Sequence, residues 1–308
     1  MPMTLLEASK LHTGDVVRSG VIEMFARSSE ILRVLPFIDI PGGSYHYNLE
    51  GQLPGVAFRG INEAFAESIG VINPQVEVLR IAGGDLDVDK AIIDFHGADV
   101  RARHEAMKIK ALSLYLGKKI IKGDSLSDPR EFDGLQNRVV GSQLIAAGST
   151  ANGTALSLIK LDEAIDAVDF PTHMIMSKAL ARRLSAAARN INVGGHIEYL
   201  PNEFGERVML YNGLPVLTVD HDDLGARVLD YNEACTSGTA TGTSVYVVNF
   251  SDGYVVGLQN KPMSVRDHGE IDAKPVWRTR LDWNVGLATM HGRCASRLWS
   301  VADAPVVA

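Results

Sequence analysis

Residues 53–68 (LPGVAFRGINEAFAES) constrain the fold most, because they combine apolar side chains with a sequence that fits no regular secondary structure. Glycines and polar residues interrupt the spacing that a helix or a strand would need. Apolar side chains that a chain cannot bury on itself are usually buried on a neighbour. The segment is therefore predicted to lie across another copy of the chain. Its predicted assembly contacts are Val56, Phe58, Arg59, Ile61 and Phe65.

Extended stretches flank this segment. Residues 44–50 (SYHYNLE) alternate, with Tyr45, Tyr47 and Leu49 on one face. Residues 76–89 are a second extended stretch, so the two are expected to pair as a long hairpin with the 53–68 segment at its irregular tip. A lone two-stranded hairpin is marginally stable in water. This hairpin is therefore expected to pack against other parts of the protein or against another copy of the chain.

The helical pattern is strongest at residues 97–122, which contain no proline. They predict one helix of about 38 Å at 1.5 Å per residue. Its apolar stripe is expected to follow Val100, Met107, Leu114 and Ile121. Apolar spacing over residues 14–35 predicts an earlier helix. Core packing is expected to begin only after residue 41, which makes residues 1–41 an N-terminal arm.

The second half of the chain mixes short helices with strands. Residues 161–169 predict a helix and residues 171–177 a buried strand, and Ser177 is expected to cap the next helix, which runs to residue 189. Residues 195–260 are mostly strands and turns, and the glycine-rich stretch 236–243 predicts a flexible loop. This mixture indicates the α+β class rather than regular alternation of strands and helices.

A long alternating strand is predicted at residues 276–290. Its apolar face is expected to contain Trp277, Thr279, Leu281, Trp283 and Val285. Arg278 and Arg280 share the opposite face. Because guanidinium groups suit carboxylate partners, these two arginines are predicted to act in assembly contacts or ion pairs rather than in catalysis.

Composition limits the functional classes. The 308 residues are 46% hydrophobic and 22% charged, as in a globular protein. The net charge of −7 excludes a strongly basic nucleic-acid footprint. Cys235 and Cys294 are far apart and are expected to be unbridged thiols in a reducing compartment. Because no apolar run reaches transmembrane length and no signal-peptide pattern occurs, a cytoplasmic protein without a membrane partner is expected.

No catalytic motif is found: the chain lacks a nucleophile elbow, a phosphate-binding loop and HExxH. A solvated strand face explains Asp85, Asp87 and Asp89 better than a metal site, because the glycine and distal glutamate of a calcium loop are missing. The acids within residues 162–166 fit a helix surface. No catalytic residue, cofactor or metal site is predicted. A small-molecule hydrolase that uses surface carboxylates stays open as an alternative.

The order of these elements resembles the tailed-phage major capsid protein fold, which encapsulins share: an arm, an extended hairpin, a long spine helix, a mixed domain and late strands. IIKGDSLSDPREFDGLQNR resembles the family's helix end and "GL" loop, and VMLYNGLPVLTVD resembles its G-[ILV]-P-V strand. LDEAIDAVDFPTHMIMSKALARRLSAAAR is similar to its helix–strand–helix unit. NKPMSVRDHGEIDAKPVWRTRLDWNVGLATMHGRCASRLW is similar to its closing segment. The ordered set covers almost the whole chain.

The resemblance implies four regions. These are an N-arm at 1–41, an E-loop hairpin at 42–90, a peripheral domain with the spine helix at 91–127 and 255–286, and an axial domain at 128–254 and 287–308. The axial domain would sit at the centre of a hexamer or pentamer, with the 236–243 loop near a symmetry axis.

The resemblance also implies a function. The chain would be a major capsid protein, structural rather than enzymatic, that forms pentamers and hexamers and closes an icosahedral shell around double-stranded phage DNA without reading its sequence. Expected partners are further copies, a portal, a decoration protein, and a separate scaffolding protein, since no room precedes the arm for a cleaved scaffolding domain. The expected location is the virion capsid, after assembly in a bacterial cytoplasm. An encapsulin-type compartment is the alternative, in which the 14–35 helix would dock a cargo enzyme.

Covalent crosslinking can be predicted from lysine content. Some capsids of this family join a hairpin lysine to an asparagine of a neighbouring subunit, which requires a reactive amine. Residues 42–89 contain no lysine, and their arginines stay protonated. Assembled particles boiled in detergent and reductant should therefore release a single band near 33.3 kDa. A ladder of covalent multimers, with a peptide joining residues 42–89 to another subunit, would contradict this prediction.

Overall fold

The described part of the chain has the α+β class that the sequence predicts. The computed structural model describes residues 3–5, 7, 24–25, 28–97, 99–189, 197–201 and 207–307. Its α-helices are α1 (Glu30–Val34), α2 (Lys90–His96), α3 (Asp99–Lys122), α4 (Leu135–Arg138), α5 (Leu158–Asp166) and α6 (Lys178–Ala187). Its strands are β1 (Met3–Thr4), β2 (Pro36–Asp39), β3 (Ser44–Gln52), β4 (Val71–Val78), β5 (Arg80–Asp89), β6 (Leu144–Ala146), β7 (His173–Ser177), β8 (Ile197–Pro201), β9 (Arg207–Tyr211), β10 (Leu214–Val219), β11 (Glu233–Ala234), β12 (Thr241–Val248), β13 (Val255–Gln259), β14 (Ser264–Ile271), β15 (Lys274–Thr289) and β16 (Ala295–Val301).

Two sheets form the body of the subunit. The first runs β1-β2-β13-β15-β14, and β5 also pairs with β15. The second runs β6-β16-β12-β7-β10-β9-β8, with β11 beside β12. Two apolar cores pack against the sheets. Trp283 and the buried face of α3 belong to the first, which also includes Ile175 and Tyr246 of the second sheet, and Leu161 and Met174 belong to the second. Strands β3 and β4 form a separate two-stranded sheet.

Helix α3 is the predicted long helix, and it begins at Asp99 because Gly97 separates it from α2. Its buried face differs from the predicted stripe. That face contains Ile109, Leu112, Leu116, Ile120 and Ile121, whereas Met107 is 66% exposed. The buried residues are spaced by three and four, and the seven-residue stripe lies on an adjoining face of the helix. Of the predicted stripe, Ile121 is buried, Val100 and Leu114 are half-buried, and Met107 is wrong.

The hairpin has a different second strand from the predicted one. Strand β3 pairs with β4, from Ser44 opposite Val78 to Gln52 opposite Val71. Residues 80–89 form β5 and pair with β15 instead. Pro74 argued against a strand before residue 76, but proline is tolerated where a strand has a free edge. Because both stretches are extended, periodicity could not show where the pairing partner changes.

The chain before residue 41 already packs into the first core. Phe25 and Phe37 are buried, and their ring centroids lie 5.4 and 5.2 Å from that of Trp283. Strand β2 pairs in parallel with β13, which places Phe37 opposite Gly257. The expectation that core packing begins only after residue 41 is wrong, because these contacts insert the end of the proposed arm between α3 and the first sheet.

Other predicted elements differ in their bounds. The helix predicted at 161–169 is α5, which begins three residues earlier. The Ser177 cap is confirmed, since its Oγ accepts a hydrogen bond from Leu180 N–H at 3.1 Å. The prediction of a flexible loop at 236–243 is wrong in part, because its last three residues belong to β12. In addition, Asn152 Oδ1 accepts hydrogen bonds from two N–H groups of the loop. Most of the helix predicted at 14–35 lies outside the described residues.

A proline substitution tests whether α3 is one continuous structural element. Ala111→Pro removes a helix hydrogen bond and clashes with the preceding turn, so the free energy of unfolding should fall by about 3 kcal/mol or more. Asp99→Pro, at the first helical position, is the control and should change stability little. Urea denaturation followed by circular dichroism measures both variants. Equal stability of the two variants would contradict a continuous buried helix.

Candidate assembly surfaces

The hairpin tip, residues 53–70, exposes a dense set of apolar side chains. Val56, Phe58 and Ile61 are 97%, 108% and 95% exposed, and Phe65 is 64% exposed. The apolar residues that the sequence predicted as contacts therefore lie together at the end of the hairpin. Exposed apolar surface of this density marks an interaction site more often than a solvated loop.

The tip has a defined backbone although it contains no helix or strand. Gly60 N–H donates to Glu63 Oε2 at 2.8 Å. Asn62 has a φ of +67°, a left-handed conformation that asparagine adopts more readily than most residues. Ser68 Oγ donates to the Gly55 carbonyl at 2.9 Å. These bonds hold the two sides of the tip together.

Arg59 is the charged residue among the predicted tip contacts. Its Nη1 donates to the Glu63 carbonyl at 3.2 Å, and its guanidinium lies 5.2 Å from the centre of the Phe65 ring. Such cation–π contacts contribute about 0.5–1 kcal/mol at exposed sites. Arg59 thus orders the tip of its own subunit, and contact of the tip with another copy stays a prediction.

The sequence reasoning missed several exposed apolar residues. Leu53, Ile69 and Ile72 are 74%, 90% and 65% exposed and extend the apolar surface along the hairpin. Their positions directly beside the tip were the signal that could have found them. Phe95 on α2 is 82% exposed and lies outside the hairpin. No pattern distinguished it, because a single aromatic residue on a short helix fits a core equally well.

The base of the hairpin packs on the body. Tyr45 and Tyr47 stack with ring centroids 6.0 Å apart. They pack against a small apolar cluster that includes Ile40, Val256, Leu258 and Ala288. Leu79 N–H donates to the Gly43 carbonyl at 2.9 Å. The hairpin is therefore attached at its base and solvent-exposed beyond it.

An ion pair joins the hairpin to α4. Arg138 Nη1 and Nη2 donate to Glu77 Oε1 and Oε2 at 2.5 and 2.8 Å, and Tyr47 OH donates to Oε1 at 3.3 Å. Burial and the Glu77 carboxylate both raise the pKa of Tyr47. Burial acts to lower the pKa of Arg138, but the hydrogen bonds and charge of Glu77 outweigh it and raise that pKa.

Arg278 and Arg280 form ion pairs within the subunit. They lie directly opposite Asp87 and Asp85 in the β15–β5 register. Arg278 Nη2 is 2.6 Å from Asp87 Oδ2, and Arg280 Nε is 2.7 Å from Asp85 Oδ1. The hydrogen bonds from these arginines lower the pKa of both carboxyl groups. Of the two roles predicted for these arginines, the structure shows the ion pairs. A role of the two arginines in assembly stays a prediction.

The alternating acids of β5 are not merely solvated, as the sequence suggested. Asp85 and Asp87 carry the ion pairs just described, and Asp89 Oδ1 accepts a hydrogen bond from Ala91 N–H at 2.8 Å, which caps α2. Within the described ranges, no group of three or more His, Cys, Asp or Glu residues is arranged to hold a metal ion. The acids of β5 therefore fix the strand to its neighbours.

The C-terminal end of α3 carries three lysines that pair with separate segments of the chain. The pairs are Lys118 with Asp222, Lys119 with Glu131, and Lys122 with Glu233. The first and the last have N–O distances of 2.8 and 3.0 Å. One helix end thus connects the loops at Glu131 and Asp222 with strand β11.

Glu233 is the buried centre of a charged network. Arg297 Nη2 donates to Glu233 Oε2 at 2.9 Å, and Arg297 Nε donates to Ser244 Oγ at 3.1 Å. Ser244 Oγ also donates to Glu233. Burial acts to raise the pKa of Glu233, but Lys122, Ser244 and Arg297 lower it overall. The carboxylate stays charged because it is paired on two sides.

The remaining shifted carboxylates follow the same pattern. Hydrogen bonds from Ser127 and from the Leu126 N–H lower the pKa of Asp124. Lys118 lowers that of Asp222. Among the acids of α5, Asp162 accepts a hydrogen bond from Tyr211 OH at 2.9 Å. The hydrogen bonds at Asp124 and Asp222 thus stabilise the ionised carboxylates and lower their pKa, whereas a general acid requires a raised one.

Membrane insertion by a helix has no support in the part of the chain that the structure describes, where no helix is both long and apolar enough to cross a bilayer.

The Asp85 and Asp87 ion pairs predict a pH dependence. Because the folded-state pKa values lie below the ordinary value of 3.8, the stability they contribute is present above that value and is lost as the pH falls through the folded values. The difference in unfolding free energy between the wild type and Asp85→Asn/Asp87→Asn should therefore be fully present near pH 6 and should shrink as the pH falls from about 5 through 3.8 and below. Urea denaturation across this range measures it.

The control for this experiment is Asp252→Asn, in a turn away from β5. Its unfolding free energy should follow that of the wild type at every pH. A double variant whose deficit stays constant down to pH 3 would show that the two ion pairs contribute no stability through ionisation.

Comparisons with known proteins agree with this architecture. A family model described as major capsid protein GP7 matches residues 13–176, which is more than half of the chain. The SrpI encapsulin of the holo complex from Synechococcus elongatus PCC 7942 has a TM-score of 0.65 at 19% identity, over 91% of this chain and 89% of that chain. A chain from Microbacterium phage Oxtober96 has a TM-score of 0.62 at 15% identity, over 88% and 90%. A capsid chain of a native GTA particle has a TM-score of 0.59 at 13% identity, over 89% and 91%. No curated protein sequence gives a significant match.

The fold predicted from the order of elements is confirmed by these comparisons, since the phage and encapsulin chains align with this chain over most of their length. The matched range 13–176 contains the exposed hairpin, helix α3 and strand β6 of the second sheet. The chain belongs to the major capsid protein GP7 family.

Proposed function

We propose that copies of this chain assemble into pentamers and hexamers that close an icosahedral shell. The observation that carries the proposal is the hairpin tip, whose apolar residues are almost fully exposed in one subunit. A standard protein interface buries about 1,600 Å², and a hairpin laid across a neighbour can reach that scale. Many modest contacts suffice, because each subunit in a closed shell is held by several others.

The proposed content of the shell is double-stranded DNA, held without sequence-specific contacts. The net charge of −7 supports this proposal, as does the pairing of the α3 lysines with carboxylates of the same subunit. A strongly basic lining would bind the phosphate backbone tightly and hinder its movement. The role is structural rather than enzymatic, which agrees with the stabilising function of the shifted carboxylates.

The proposed partners follow from the capsid family. They are further copies of the chain, a portal, a separate scaffolding protein and a decoration protein. Assembly is proposed to occur in the cytoplasm of a bacterial host, and the product is the virion capsid. The division into arm, hairpin, peripheral and axial regions is kept as part of the proposal, with the change that Phe25, Ile31, Leu32, Leu35 and Phe37 pack into the first core.

An encapsulin-type compartment is the second candidate. The observation that favours it is the TM-score of 0.65 with the SrpI encapsulin. Negative-stain microscopy of particles purified from producing cells tests shell formation, and nuclease-resistant DNA in those particles distinguishes the two contents. Double-stranded DNA inside the particles supports the capsid, whereas a co-purifying enzyme without DNA would overturn it in favour of the compartment.

Charged substitutions in the tip test its role in assembly. Phe58→Asp and Phe65→Asp should leave the subunit folded, because both side chains are exposed, yet they should block shells, since an unpaired buried charge costs several kcal/mol in an interface. Particle counts in micrographs and size exclusion measure the effect. Phe58→Leu and Phe65→Leu keep the apolar surface and should still form shells. Normal shells from both aspartate variants would show that the tip makes no essential contact.

A further inference from the structure

The base of the hairpin has the features of a pivot. Gly42 has a φ of +99°, and an added Cβ would meet no atom within 4 Å at Gly42 or at Gly43. On the other side, the single residue Leu79 separates β4 from β5. Glycine pairs allow wide backbone rotation, and among the described strands none pairs with β3 or β4 as a third strand. The backbone alone therefore does not set the direction of the hairpin.

The Arg138–Glu77 ion pair sets that direction. The two side chains are only 11% and 19% exposed, and both guanidinium Nη atoms bind the one carboxylate. Bidentate pairs of this kind fix orientation as well as distance. Among the residues that the structure describes, this is the one ion pair that joins residues 42–79 to the rest of the subunit. The apolar contacts of Tyr45 and Tyr47 add attraction without direction.

Arg138 is itself held firmly. Its Nε donates to the Asp133 carbonyl at 2.7 Å. Its helix, α4, is attached to the end of α3, where Gly134 N–H donates to the Gly123 carbonyl at 2.9 Å. The two segments approach so closely that a Cβ on Gly123 would lie 2.3 Å from the Phe132 carbonyl oxygen. The guanidinium is therefore fixed relative to the spine helix.

We infer that Arg138 is a positioning residue that sets the direction of the hairpin relative to α3, and that loss of its pair with Glu77 lets the hairpin swing about Gly42–Gly43 and Leu79. The rest of the subunit stays folded in that state. The consequence for assembly rests on the proposed shell function: a hairpin without a fixed direction reaches its neighbour at many angles, so closed shells give way to unassembled subunits and irregular particles.

Distance measurements on unassembled subunits test the inference directly. Spin labels at Ala66→Cys in the tip and Lys110→Cys on the exposed side of α3, in a Cys235→Ser background, report the separation by double electron–electron resonance. The labelled subunit with an intact Arg138–Glu77 ion pair should give a narrow distance distribution. Glu77→Gln should at least double its width, and Arg138→Lys, which keeps the charge and loses the bidentate geometry, should give an intermediate width.

The control is Arg183→Gln, which breaks the exposed Arg183–Asp303 pair on α6 and should leave the width unchanged. Circular dichroism establishes that each variant is folded, and Glu77→Gln decides the test because it is the mildest change. An unchanged width in folded Glu77→Gln would overturn the inference.

Particle counts by microscopy form the second readout, with at least a tenfold loss of closed shells expected for Glu77→Gln. If the unmodified chain formed no shells, the proposed function would fail while the distance test would still decide the role of Arg138.

Discussion

The buried carboxylate of Glu233 is the polar interaction that links the spine helix to the second sheet. It receives Lys122 from the spine helix, which belongs to the first core, and Arg297 and Ser244 from the second sheet. Removing one partner of a buried pair leaves an uncompensated charge, which typically costs about 3–5 kcal/mol. Apolar packing also joins the two sheets, because the first core includes Ile175, Leu217 and Tyr246 of the second sheet. The Glu233 network adds directional polar contacts to that packing.

The hairpin obeys the same rule on a smaller scale. Its apolar base attaches it to the body, and one carboxylate, that of Glu77, gives the attachment a direction. Beyond the base, the subunit contains nothing that covers the exposed tip among the residues that the structure describes. In the proposed shell, neighbouring copies of the chain would cover this apolar surface.

Sequence reasoning succeeded where one local pattern determines the outcome. The alternation of β15 placed Leu281 and Trp283 in the core, Ser177 marked the start of α6, and the apolar residues of the tip identified it as a surface. It failed where the outcome depends on distant partners. The switch from the β3–β4 pair to the β5–β15 pair at Leu79, and the pairing of Glu77 with Arg138, are set by contacts across the fold. The buried face of α3 was missed because a seven-residue step was followed instead of the spacing of three and four that relates Ile109, Leu112 and Leu116.

The direct continuation of β4 into β5 has a mechanical consequence. Strand β5 is paired along its full length with β15, from Arg80 opposite Val285 to Asp89 opposite Val276. In an antiparallel pair the hydrogen bonds run perpendicular to the strands. A pull on the hairpin along this strand therefore loads the whole ladder in shear at once, rather than opening it one bond at a time from an end. Tension between neighbouring subunits is carried into the widest part of the first sheet, where it is shared by the ion pairs of Arg278 and Arg280.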